Sequence, residues 1–121
     1  MVCEGFNKVF LDGCFRSDLH AEMVLLNEWE SQNPRCGDMG RYTLISSLEP
    51  CPMCAGALVQ ARMGTVVFGA SDRKRGGLGG CLDLATDPSA HHHMRVVGPL
   101  MQERAADQLE IWFRQRRRRN R

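Results

Sequence analysis

The sequence predicts an α/β fold in which helices cover a sheet. Three observations carry this. "RYTLISSL" (41–48), "CPMCAGALVQARMG" (51–64) and "TVVFGA" (65–70) read in succession as strand, helix and strand. "DLHAEMVLLNEWE" (18–30) carries the apolar stripe of a helix, with Met23, Leu25, Leu26 and Trp29 recurring at helical spacing. "PLMQERAADQLEIWFRQRRRR" (99–119) repeats that pattern, placing Met101, Ala105, Leu109 and Phe113 or Trp112 on one face.

Each element has its local reasons. The helix over 18–30 has Ser17 or Asp18 available as its cap. "NPRCGDMG" (33–40) is dense in turn formers and reads as a loop. The helix over 51–64 has proline in its first turn, and Gly64 marks its end. "TVVFGA" is a short, almost wholly apolar run of the kind found in a buried parallel strand. "SDRKRGGLGG" (71–80) is a loop whose four glycines remove side-chain bulk. "MRVVG" (94–98) reads as another strand. No internal repeat and no long linker interrupts the chain.

The 121 residues suit a single domain spanning 1–121 with one modest core. Hydrophobic content of 43% and charged content of 25% are ordinary for a globular protein. No apolar run is long enough to cross a membrane, and "MVCEGFNKVF" lacks the pattern of an export signal, so a cytoplasmic location is expected. Six cysteines (Cys3, Cys14, Cys36, Cys51, Cys54, Cys81) are then expected to stay reduced. Net charge is +2 but unevenly placed. Residues 114–121 hold six arginines and no acid, leaving 10 basic against 14 acidic side chains elsewhere, a balance of −4. The basic end at 112–121 suits a polyanion met at one end of the molecule, or is simply a solvated terminus.

The chemistry is concentrated in "LEPCPMCAGAL" (48–58). Cys51 and Cys54 stand at a loop-to-helix junction, where free amides and the helix dipole stabilise thiolate. That alone serves a redox pair, a structural zinc clip or a catalytic zinc site. The discriminating feature is "HAE" (20–22). His20 is the one histidine outside the "HHH" cluster at 91–93, and it too falls at a helix start. Glu22 follows two residues later, roughly 200° around an ideal helix. Both side chains reach one centre only if it lies near the helix end. His20, Cys51 and Cys54 would then hold a zinc ion with its fourth tetrahedral position open, the mark of a catalytic site. Glu22 would stand beside that position as a proton carrier. Glu49 is expected to be structural, accepting backbone hydrogen bonds near the site.

H-x-E…P-C-x-x-C is the signature of the zinc deaminases. The sequence resembles the bacterial tRNA adenosine deaminase branch of the cytidine deaminase-like superfamily, beyond the metal motif. "EGFN", "HAEM", "SLEPCPMCAGALVQARMGTVVFGASDRKRGG", "GGCLDL", "HHHMRVVGPLMQE" and "WFRQRRR" match successive landmarks of that branch over nearly all of 4–117, while 24–42 departs from it. The resemblance implies a three-layer α/β/α fold with a mixed sheet of strand order 2-1-3-4-5. The family's first helix and first strand have no counterpart here, so Met1 falls where its second strand would begin. Either the start is truncated, or residues 1–10 move into the vacant slot beside 41–48.

The resemblance further implies one Zn²⁺ per chain on His20, Cys51 and Cys54, with Glu22 as catalytic proton shuttle. Asn7 and the main-chain amide of Ala21 would contact the base. Phe113, Arg114, Arg116 and Arg117 would approach a tRNA anticodon stem-loop, although Phe113 also shares the core-facing side of its helix. A homodimer is implied as well. The reaction expected is hydrolytic conversion of adenosine to inosine in that loop. Related branches deaminate free guanine, cytosine or cytidine on the same core. An inactive zinc- and RNA-binding remnant is the alternative of another class.

Overall fold

The run "TLISSL" alternates partly apolar with polar side chains, and "TVVFGA" brings β-branched and aromatic residues suited to a pleated, buried surface. In the computed structural model, which describes residues 3–11, 14–35 and 37–119, these become parallel neighbours β3 (Thr43–Leu48) and β4 (Thr65–Ala70). Two short strands precede them, β1 (Phe10–Leu11) and β2 (Cys14–Phe15), paired antiparallel in their own ribbon. A third parallel strand, β5 (Arg95–Val97), joins the other side of β4, giving the order β3-β4-β5. The antiparallel component expected of a mixed sheet is therefore confined to the ribbon, and the three-stranded sheet is parallel.

Among the described residues three helices complete the element set: α1 (Ala21–Gln32), α2 (Pro52–Gln60) and α3 (Gln102–Arg119). α2 is the crossover between β3 and β4, as a parallel pair requires. Val66, Phe68 and Ala70 alternate inward along β4. With Leu44, Val66 and Phe68 meet Leu26 of α1 and Ala55, Leu58 and Val59 of α2 in the buried core. α3 lies against β4 and β3, with Ala105 set so close to Gly69 that a Cβ there would stand 2.9 Å from the alanine methyl. The α/β fold class predicted above is thus the observed one.

Three boundaries differ from expectation. α1 begins at Ala21, with His20 rather than Ser17 or Asp18 at its N-cap. Asp18 instead approaches Arg16 at 3.6 Å. α2 ends at Gln60, before Gly64. The amide of Met63 donates to the carbonyl of Leu58, that of Arg62 donates to Val59, and Arg62 takes φ 59. This is the glycine-type helix stop built on an arginine. The last helix starts at Gln102, because the amides of Leu100 and Met101 donate to Phe68 and Gly69 and extend the chain beside β4. The core position expected for Phe113 is not taken either: Phe113 is 49% and Trp112 46% exposed.

Residues 3–9 do not enter the slot beside β3. The amide of Lys8 donates to the carbonyl of Leu19 at 2.8 Å, and Gly5 presses on Ala21 and Leu25 of α1. Among the described residues β3 has no strand on its outer edge, and Ile45 on its α3 side is 79% exposed. Cys36 and the tail residues 120–121 lie outside the described residues. Cys3, Cys51, Cys54 and Cys81 are all free thiols, as expected.

Candidate metal centre

His20 and Cys51 occupy the same structural position in two helices. Each is an N-cap with extended backbone, φ −64 and ψ 156 for His20, φ −69 and ψ 170 for Cys51. Each carbonyl accepts the first intrahelical bond, from Val24 at 2.9 Å and from Ala55 at 2.8 Å. Neither side chain caps its own helix. Both point instead to a common centre, joined there by Cys54 from the first turn of α2.

The Nδ1 atom of His20 lies 3.5 Å from the Sγ of Cys51 and 3.6 Å from the Sγ of Cys54. A tetrahedral zinc ion with Zn–S of about 2.3 Å and Zn–N of about 2.0–2.1 Å requires N···S separations of about 3.5 Å. The donor set fits. All three ligand atoms lie within 4.8 Å of one another. Three protein ligands leave one tetrahedral position for water or substrate.

Glu22 lies in the first turn of α1, half-buried. Burial pushes the Cys54 thiol above its ordinary range, and the adjacent Glu22 carboxylate and Cys51 push it further in the same direction. A buried thiol beside a carboxylate is a poor place for negative charge until a cation arrives. Zinc supplies that cation, and its binding must displace the thiol proton.

Beside Asn7, the amide of Lys8 donates to the carbonyl of Leu19, just ahead of His20, at 2.8 Å. The Asn7 side chain is exposed, and its oxygen accepts from the amide of Val9 at 3.0 Å, which leaves its NH₂ group to donate. Ala21 is the first residue of α1, so its amide has no partner within the helix. Phe113, Arg114, Arg116 and Arg117 lie on the exposed second half of α3. There Arg114 pairs with Glu110, and the Arg116 guanidinium stacks 5.0 Å from the centre of the Trp112 ring. Two of the three clustered histidines are tethers: His92 donates to Met63 at 2.7 Å and His93 to Ala85 at 2.8 Å, both to backbone carbonyls.

Glu49 accepts backbone hydrogen bonds, as expected. How the glycine loop beyond it is used could not be read from the sequence. Gly77 packs directly behind Cys51 and Pro52. The run of four glycines was the available signal, but it does not say which backbone they approach.

The model of the cytidine and deoxycytidylate deaminase zinc-binding region matches residues 1–70, more than half of the chain and all three ligands. The chain belongs to this family. A tRNA-specific adenosine deaminase of Bacillus subtilis (strain 168) is 38% identical over 107 residues, covering 84% of this chain and 63% of that protein. One of Haemophilus influenzae is 35% identical over 98 residues, covering 81% and 56%. The chain therefore spans less than two thirds of the length of these deaminases. A solved structure from a study of A-to-I editing by tRNA:A34 deaminases shares the fold, with a TM-score of 0.70 at 23% identity over 88% of this chain and 75% of that one.

One zinc per chain is expected on metal analysis of the deaminase domain, lost in Cys51→Ala and in Cys54→Ala. Because binding releases thiol protons, apparent zinc affinity should fall as pH is lowered. A pH-independent affinity in a chelator titration would contradict this coordination.

Proposed function

We propose that the chain is a single deaminase domain that hydrolyses adenosine to inosine in a tRNA anticodon loop. The observation that carries this reading is the three-ligand centre with the Glu22 carboxylate beside it. Identity to tRNA-specific adenosine deaminases over more than four fifths of the chain supports the substrate.

The reaction forms a C–O bond at the amine-bearing carbon of adenine and breaks the C–N bond, releasing ammonia. Zinc, when bound, lowers the pKa of water and so makes hydroxide available near neutral pH. Glu22 takes the proton from the attacking water, delivers it to the ring nitrogen, and then serves the departing amine. It can do this because it stands next to the ligands without belonging to them. The NH₂ group of Asn7 and the amide of Ala21 hold the base at the junction of the N-terminal segment and α1. A single base enters such a site only when it is splayed out of its stack, which loop nucleotides allow.

On α3 the arginines meet backbone phosphate. Trp112 and Phe113, in edge contact at 4.9 Å, present aromatic surface on which a loop base stacks. The surrounding protein is acidic, so the arginine-rich end supplies the local attraction. The working form is a cytoplasmic homodimer. The edge of β3, unpaired among the described residues, and the exposed Ile45 give a second copy surface to cover. No described helix is long and apolar enough to cross a membrane.

Glu22→Ala should retain zinc and lose deamination of a stem-loop by about 10²- to 10⁴-fold or more. Comparable turnover in that variant would move the proton work to another group. Replacing Arg114, Arg116 and Arg117 together by alanine should weaken stem-loop binding and flatten its salt dependence, by about 0.7 in log–log slope for each phosphate no longer neutralised. An unchanged slope would reduce the tail to a solvated terminus and favour a free base as substrate. Light scattering should give twice the chain mass.

A further inference from the structure

Glu49 is buried, 3% exposed, and takes no part in the proton transfers above. Its carboxylate accepts three backbone hydrogen bonds, all from the segment that follows β4. The amide of Asp72 donates to Oε1 at 3.0 Å, and those of Leu78 and Gly80 donate to Oε2, each at 2.9 Å. Gly76 and Gly80 lie so close that a Cβ on either would overlap the carboxylate. The carboxylate thus replaces the regular ladder partners that a loop of this kind lacks.

The held loop has a second contact. The amide of Gly77 donates to the carbonyl of Pro50 at 2.8 Å, the residue before the ligand Cys51. A Cβ on Gly77 would stand 2.9 Å from the Pro52 Cα, 3.0 Å from the Cys51 carbonyl carbon and 2.9 Å from the Ala55 methyl. The backbone of Gly77 is therefore the wall behind Cys51. Glu49 holds that wall from both sides, through Asp72 ahead of it and Leu78 and Gly80 after it. At its own amide Glu49 is fixed to the sheet, donating to Ala70 at 2.8 Å.

We propose that Glu49 is a positioning residue for the metal centre: its carboxylate fixes the 72–80 loop against Pro50–Cys51–Pro52 and so sets the Cys51 thiolate at its ligand distance. Groups behind metal ligands commonly govern ligand orientation and affinity. Here the action is indirect, carried by backbone rather than by a bond to the ligand itself. The inference rests on the zinc site and not on the substrate, so its test is independent of whether the chain edits tRNA.

Glu49→Gln keeps the shape of the side chain but puts an NH₂ group against at least one of the three amides. Gly77→Ala leaves Glu49 and its bonds in place and pushes on Cys51 directly. Ala105→Gly, in α3 on the opposite face of the sheet, is the control for simple loss of stability. Zinc affinity is read by competition with a chromophoric chelator, on protein shown to be folded by circular dichroism. Both loop variants should lose affinity by about 10- to 100-fold, while Ala105→Gly stays near wild type despite its lower melting temperature. Wild-type affinity in Glu49→Gln, or a loss no larger than in Ala105→Gly, would make Glu49 a purely structural residue and overturn the proposal. If Glu49→Gln does not fold, Glu49→Asp, which keeps the charge but is too short to reach all three amides, decides by the same comparison.

Discussion

The structure depends on two helix N-termini meeting at one point. A metal ligand used as an N-cap gives up the bond that a serine or aspartate would make to its own helix. His20 and Cys51 both make that exchange, and the free first-turn amides then face the centre they share. The exchange is sound only if the two helices are held at a fixed separation, because a ligand set with N···S distances near 3.5 Å tolerates little drift. The core supplies that rigidity. α1 and α2 bury Leu26, Ala55, Leu58 and Val59 on the same face of the sheet, and β3 delivers the chain to Cys51 through the buried pair Glu49–Pro50.

Around this centre the burdens are divided by charge. Cys54 is buried against Glu22, so its neutral form is favoured and metal and proton compete for one site. Glu22 and Glu49 show how environment separates two carboxylates near one metal. Glu22 is half-buried beside the thiol and has a face toward the centre. Glu49 is enclosed by three amides and has no access to it. In the reading proposed above the first moves protons, while the second holds backbone.

The opposite face of the sheet is less complete. α3 meets β4 through Ala105 and Gly69, while Ile45, Ile111, Trp112 and Phe113 remain exposed. The arginine-rich half of the helix thus leads away from the core with its aromatic and charged groups accessible. Its local order comes from the Arg114–Glu110 pair and the Arg116–Trp112 contact, both of which lie at one-turn spacing.

Much of this was legible in the sequence. The spacing of apolar residues placed every helix within a few residues, and "TVVFGA" gave the central strand to the residue. HAE and PCPMC together named the three ligands, because a histidine and a cysteine pair, each at a helix start, can converge on one metal. Tertiary structure alone decided the rest. Propensity assigned the first cap to Ser17 or Asp18, since nothing local shows that His20 is drawn to cysteines 31 and 34 residues away. The stop of α2 at Arg62 was hidden because a left-handed arginine is disfavoured locally and persists only within the surrounding packing. Helical periodicity put Phe113 on the same side as Ala105, but α3 outruns the sheet that would bury it. Four glycines showed a loop stripped of side-chain bulk, without showing what comes close to it. The fold supplied Glu49 and Cys51, since only the return of the chain past β4 sets that loop against the strand end and the metal ligand.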